Sequence, residues 1–122
     1  MEADEAKTVM ASALIATLTR SGQLVVAAQA LAELRHVLVR AARMPEDNAS
    51  RHVARYLDMA DCIPTSESIL RSAFELAARN KLQTYDAIIL AAAASADCEI
   101  LFSEDMQHGF EWEGVRIVNP FV

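Results

Sequence analysis

Three acidic residues, Glu33, Asp86 and Asp105, lie near short apolar runs of the sequence. Asp105 follows the run 99–102 by three residues, and Asp86 stands directly before the run 87–94. Carboxylates within ~4–6 Å of one another repel unless a cation neutralises them, and Mg²⁺ binds through oxygen ligands and retained waters. If the fold brings these three acids together, the residue types predict a divalent metal site.

Each acid also has a simpler explanation when it is taken alone. Asp86 suits the first turn of a helix, where the helix dipole stabilises a negative charge. Glu33 could face solvent on a helix, and Asp105 could be an ordinary loop acid. The hydroxyl of Ser103 could orient a water or a phosphate, although serine is also common in turns.

Other site types find little support in the sequence. The histidines His36, His52 and His108 are scattered and match neither a zinc site nor a catalytic triad. Cys62 and Cys98 lie 36 residues apart without a CxxC motif, which argues against a disulfide framework or a structural zinc site. We expect both cysteines to be small buried residues.

The charge distribution is uneven. The chain has a formal net charge of −6, which disfavours binding to nucleic acid. Residues 35–55 nevertheless carry a local charge of +3, from five arginines against Glu46 and Asp47. This stretch, which contains Arg40 and Arg43, could contact phosphate groups, or it could be a solvated helix surface.

Helices are favoured over a sandwich of many turns, because Ala and Leu are abundant and only three residues are Gly and three Pro. Gly22 is interpreted as the stop of the first helix, and Pro45 as the stop of the second and the opening of the third. We expect Val53, Leu57 and Ala60 to form the inward face of the third helix. Thr65 or Ser66 caps the fourth, and Thr84 caps a fifth helix that is apolar nearly all round. The predicted helices cover residues 4–20, 29–43, a segment opening at 45, 66–80 and 85–95.

Four short strands are predicted at residues 24–27, 62–63, 99–102 and 115–118, with a polar loop between the last two. Strands that alternate with helices indicate a three-layer α/β/α sandwich with a mainly parallel central sheet. In such sheets ligands bind at the carboxyl ends of the strands. The three acids are predicted to converge at that edge of a single domain covering residues 1–122.

A cytoplasmic location is expected from two absences in the sequence. No apolar stretch approaches the ~18 uncharged residues of a membrane span, and the acidic opening 1–5 lacks the basic head of a signal peptide.

Several segments resemble PIN-domain proteins, specifically the VapC-like toxins of toxin–antitoxin pairs. The resemblance rests on the runs at 24–38, 85–89, 100–106 and 114–121. It implies a Mg²⁺- or Mn²⁺-dependent ribonuclease with Glu33, Asp86 and Asp105 as metal ligands and catalytic residues. Ser103 matches a hydroxyl residue that such proteins place before the last aspartate, and Ser103, Arg40 and Arg43 would contact the RNA.

One departure from that family pattern concerns the start of the chain. The family begins with a short hydrophobic strand that ends in an aspartate, and residues 1–3 cannot form such a strand. Asp4 is therefore no substitute for that aspartate. We expect the first strand to be missing, through a start further upstream or a shortened form, so that strands 24–27 and 99–102 lack their shared neighbour.

Two functions follow from these observations. The first is a metal-dependent endoribonuclease toxin that acts on RNA, binds a cognate antitoxin and forms a homodimer. The second is a catalytically incomplete binding module that binds an antitoxin or associates with itself.

Overall fold

A computed structural model of the chain describes residues 17–20, 23–103 and 106–119. Strands and helices alternate along this part of the chain, which confirms the predicted α/β class. In chain order the elements are β1 (Thr17–Arg20), β2 (Gln23–Ala27), α1 (Ala28–Arg40), α2 (Glu46–Met59), β3 (Asp61–Ile63), α3 (Glu67–Asn80), α4 (Thr84–Ser95), β4 (Ile100–Phe102), β5 (Glu111–Trp112) and β6 (Val115–Val118).

The strands form one sheet in the order β3-β2-β1-β4-β6-β5. Pairing is parallel between β2 and β3 and between β4 and β6, and β1 is antiparallel to both β2 and β4. The strands β2, β3, β4 and β6 therefore all run in the same direction, and β1 and β5 run opposite to them. Their common direction places the carboxyl ends of four strands at one edge, as the mainly parallel sheet predicted.

Strand β1 corrects the prediction of a helix over residues 4–20 in its last four residues. Residues 4–16 of that prediction lie outside the described residues. β1 pairs with β2 through Thr17 and Val26 and with β4 through Leu18 and Leu101. Backbone pairing with the adjacent strand β2 and with the remote strand β4 has outweighed the local helical periodicity, and the β-branched Thr17 and Thr19 suit a strand. The prediction that β2 and β4 would lack a shared neighbour is also wrong, because β1 lies between them.

Two helix predictions are also corrected. Helix α1 ends at Arg40 and not at residue 43, and Arg43 has a left-handed backbone with φ of 56°. In α2, Val53 is buried as predicted, whereas 53% of Leu57 is exposed. The 3.6-residue periodicity thus predicted this helix correctly. The elements that pack against α2 cover a narrower stripe of its surface than the sequence predicted.

The predicted polar loop between β4 and β6 contains a further short strand, β5. It forms a hairpin with β6, in which Trp112 pairs with Val115. The two intervening residues, Glu113 and Gly114, have φ values of 49° and 82°, as expected for a two-residue hairpin turn.

Helix α4 lies at the centre of the core. It packs against β2, β4 and β6 and against α1 and α3, and residues 87–93 are all buried. Its nearly uniform apolar surface explains this position, because no face of the helix favours water. No helix in the described ranges is long and apolar enough to cross a membrane.

Candidate functional site

The carboxyl edge of the sheet is defined by the ends of its four co-directional strands. These ends are Ala27 in β2, Ile63 in β3, Phe102 in β4 and Val118 in β6. Helix α1 starts immediately after β2, so its first turns rise from this edge. Open α/β folds bind their ligands at such edges.

Asp86 lies in the first turn of α4 and is half-buried. The seven residues that follow it are buried, so the first turn is held firmly against the sheet. The partial positive charge at a helix start favours an ionised carboxylate there. Local sequence has thus placed one carboxylate on a rigid element, with part of its surface open to solvent.

A cleft of about 420 Å³ joins this helix start to the loop after β4. Its lining combines residues from the end of α3, the start of α4 and that loop, namely Lys81, Leu82, Gln83, Asp86, Met106 and Gln107. Because Met106 follows the last residue of β4 by four positions, the cleft places Asp86 at the carboxyl edge. Asp105, the third predicted ligand, precedes Met106 in sequence and lies outside the described residues.

Ser103 is the buried polar residue at the end of β4, with 6% of its surface exposed. Its backbone N–H donates to the carbonyl of Val118 at 3.0 Å, and its Oγ accepts a hydrogen bond from the N–H of Met106 at 3.2 Å. These two bonds tie Ser103 to β6 on one side and to Met106 on the other. The hydroxyl oxygen thus has a partner inside the loop, and its predicted contact with the RNA stays a prediction.

Glu33 lies on α1 and is half-buried. Its carboxylate accepts a hydrogen bond from Gln29 Nε2 at 3.4 Å, one turn earlier on the same helix. Residues on either side of it, Ala30 and Leu34, are buried, so this part of α1 is held against the core. Glu33 is not among the residues that line the 420 Å³ cleft.

The donor chemistry of these residues fits a hard divalent cation. Mg²⁺ is usually bound through one or two carboxylates, several waters and the phosphates of its substrate. The carboxylates of Asp86 and Glu33 carry oxygen donors of this kind. Within the described ranges, no group of three or more His, Cys, Asp and Glu side chains is placed to hold a metal ion. A third carboxylate ligand would therefore have to come from outside those ranges, and the predicted one is Asp105.

The arginines of the basic stretch divide into two groups. Arg35 donates through Nε to Ser50 Oγ at 2.9 Å and approaches Glu46 Oε1 at 3.4 Å, which joins α1 to α2. By contrast, Arg40 and Arg43 make no side-chain hydrogen bond or ion pair with any described residue. Arg40 follows Glu33 by seven positions, so both lie on one face of α1 about 10 Å apart along its axis.

Lys81, Gln83 and Gln107 line the cleft but were not predicted from the sequence. Lys81 is the C-cap of α3 with a left-handed φ of 55°, and Gln83 is the N-cap of α4. Gln107 lies in the loop that follows β4. No local pattern marks these three residues, because the tertiary fold alone brings the helix ends and the loop together.

A second cleft of about 560 Å³ lies between α3, α4 and the β5–β6 turn. Of its charged residues, Arg79 and Glu75 form an ion pair with each other at 3.0 Å. None of the acids predicted as ligands lines this cleft. The carboxyl edge is therefore the better candidate site, although its cleft is the smaller one.

The sequence matches a known protein family. The family model described as the PIN domain matches residues 3–109, which include the whole of β1 to β4 and the helices α1 to α4. No curated protein matches the chain at a significant level.

Proposed function

Because this chain belongs to the PIN-domain family, we propose that it is a divalent-metal-dependent endoribonuclease and the toxin of a toxin–antitoxin pair. Proteins of this family are typically metal-dependent nucleases. The observation that carries the proposal for this chain is the position of Asp86, half-buried in a cleft at the carboxyl edge.

Asp86, Glu33 and Asp105 would hold the metal, as Mg²⁺ or Mn²⁺. A bound divalent cation supplies a water nucleophile of lowered pKa and stabilises negative charge on the leaving oxygen of a phosphodiester. The buried body of α4 keeps Asp86 in a fixed position, which avoids reorganisation when the substrate binds. Ser103 holds the loop after β4 through Met106, so its contribution is to position that loop.

The RNA backbone would be held by Arg40 and Arg43. Their guanidinium groups are not used by other described side chains, and a guanidinium matches the geometry of a phosphate. Arg35 is unsuited to this role, since it already joins α1 to α2.

The experiment measures cleavage of single-stranded RNA by the wild-type chain with Mg²⁺, with Mn²⁺ and with excess chelator. We expect the Asp86→Asn variant to lose at least 100-fold in rate, on the order of the 2–4 kcal/mol that one electrostatic catalytic group contributes. Asp97→Asn is the matched control, because Asp97 is exposed and asparagine tolerates its left-handed φ of 57°. It should cleave at the wild-type rate.

Two outcomes would contradict this function. Cleavage that persists in chelator would exclude the metal mechanism. No cleavage of any RNA by the folded wild-type chain would favour the binding module, which keeps the scaffold without the reaction.

The toxin role is tested in cells, where the RNA target and the proposed antitoxin partner share the cytoplasm. Induced expression of the wild-type chain should stop growth, and Asp86→Asn should not. Co-expression of the protein encoded beside it should restore growth and yield a complex with a homodimer of this chain. Growth arrest by Asp86→Asn equal to that by the wild type would separate toxicity from nuclease activity.

A further inference from the structure

The cleft beside Asp86 has a composition that a metal site does not require. Apart from Asp86, its lining consists of one lysine, two glutamines and two apolar residues. Its volume of about 420 Å³ lies within the range of small-ligand sites, roughly 300–1,000 Å³. We propose that this cleft binds one nucleobase of single-stranded RNA, with Gln83 and Gln107 reading its edge and Lys81 holding a neighbouring phosphate.

The two apolar residues supply a surface for the base. Met106 is buried, with 6% of its surface exposed, and Leu82 is half-buried. A nucleobase has apolar faces that pack on such side chains, and proteins recognise single-stranded RNA through splayed-out bases of this kind.

The two glutamines supply the hydrogen-bonding groups. Both side chains are exposed, and neither amide makes a side-chain hydrogen bond with a described residue. Gln83 caps α4 only through its backbone, so its amide is not needed for the helix. An amide presents a donor and an acceptor side by side, which matches the N6 and N7 atoms of adenine, a pair that no other base carries on that edge.

Lys81 supplies the positive charge. Its ammonium group is exposed and forms no ion pair with a described residue, unlike Arg79 two positions earlier, which is paired with Glu75. Lys81 is the C-cap of α3, where its left-handed backbone ends the helix, and it lines the cleft. A lysine held in this way beside Asp86 suits the phosphate next to the cleaved bond.

This inference rests on the proposed nuclease function and gives that function a sequence preference. The experiment uses fluorescent six-nucleotide RNAs of uridine with A, C, G or U at one central position. Binding to the full chain is measured in chelator, which suppresses cleavage, at several salt concentrations. We expect the adenine-containing RNA to bind about tenfold tighter than the others, the discrimination of one good amide contact.

Substitutions separate base reading from phosphate binding. Replacing both glutamines by alanine should abolish the preference for adenine, so that all four RNAs bind equally, and should leave the salt dependence of binding unchanged. Lys81→Asn, which keeps a residue that tolerates a left-handed backbone, should weaken all four RNAs by a similar factor. It should also make the slope of log affinity against log salt shallower by about 0.7. Arg79→Gln removes the same charge from a paired residue and should change neither quantity.

Each result decides the proposal. Equal binding of the four RNAs by the wild type, or a preference that survives loss of both glutamines, would overturn it. Thermal unfolding of every variant excludes misfolding as the cause of a loss. Cleavage with Mg²⁺ is measured separately: a wild type that cleaves RNA without base preference refutes only the pocket, and one that binds as expected but never cleaves refutes only the nuclease function.

Discussion

Ser103 is a single residue on which the geometry of the proposed site depends. Its Oγ accepts the N–H of Met106, and Ser103 itself is buried. Ser103→Ala leaves that N–H without its partner, and a buried unsatisfied donor costs about 1–3 kcal/mol. We expect the free energy of unfolding, measured with urea, to fall by about that amount, and the cleavage rate to fall with it.

Ser72→Ala is the matched control for this change, because Ser72 is exposed on α3 and its substitution should alter stability by less than about 0.5 kcal/mol. A Ser103→Ala variant as stable as Ser72→Ala would show that the hydrogen bond from Met106 to the hydroxyl does not stabilise the fold.

Cys62 is the residue whose titration links stability to pH. Both cysteines are free thiols, and burial in β3 raises the pKa of the Cys62 thiol above its ordinary value of 9.0. Above pH 9 the unfolded chain therefore loses this proton while the folded chain keeps it, so the contribution of Cys62 to stability falls as pH rises. Cys62→Ala should lose less stability than the wild type between pH 8 and pH 10. Urea midpoints at these two values test this, and equal losses in both proteins would contradict it.

At the scale of elements, the β5–β6 hairpin contains a local conflict between sequence and conformation. Glu113 adopts a left-handed φ of 49° at the first turn position, where asparagine is favoured before glycine. Glu113→Asn should raise the free energy of unfolding by about 0.5–1 kcal/mol, because it relieves the strain of that backbone. Thermal unfolding measures the gain.

Glu111→Asn provides the control for the hairpin, since it makes the same chemical change in strand β5, where asparagine is unfavourable. It should be neutral or destabilising. An equal gain from both substitutions would point to removal of negative charge and not to the turn.

At the scale of the whole molecule, our proposal is that this acidic protein binds RNA through arginines that its own packing leaves free. Arg35→Ala should lower the free energy of unfolding by about 1 kcal/mol, because it removes the hydrogen bond to Ser50 and a solvent-screened pair with Glu46. It should leave affinity for RNA nearly unchanged. Arg40→Ala should leave the free energy of unfolding nearly unchanged. It should bind RNA several-fold more weakly, with a shallower salt dependence.

Urea unfolding and RNA binding at several salt concentrations, made on both variants, test this division. Equal losses of RNA affinity in the two variants would mean that net charge alone governs binding. In that case the bonds of Arg35 within the protein would not limit its contact with RNA.

Patterns along the chain were enough to predict most of the elements and one part of the site. The apolar run 87–94 fits only a buried helix, so Asp86 had to stand in its first turn at the edge of the sheet. The Val-rich run 24–27 predicted a strand because burial on both faces requires continuous apolar residues. The run 115–118 predicted a strand through its β-branched residues beside a glycine-containing loop, and its Arg116 is exposed. These predictions succeeded because the signal is local and repeats over several residues.

The tertiary structure decided what depends on residues far apart in sequence. Thr17–Arg20 is a strand because β4, which is remote in the sequence, pairs with it on the side opposite its neighbour β2, and this pairing outweighs its helical periodicity. The cleft joins Lys81, at the end of one helix, to Gln107, in a loop 26 positions later, and no local pattern connects them. Which arginines remain free was likewise decided by the packing of α1 against α2, since a sequence states where charges are but not which partners neutralise them.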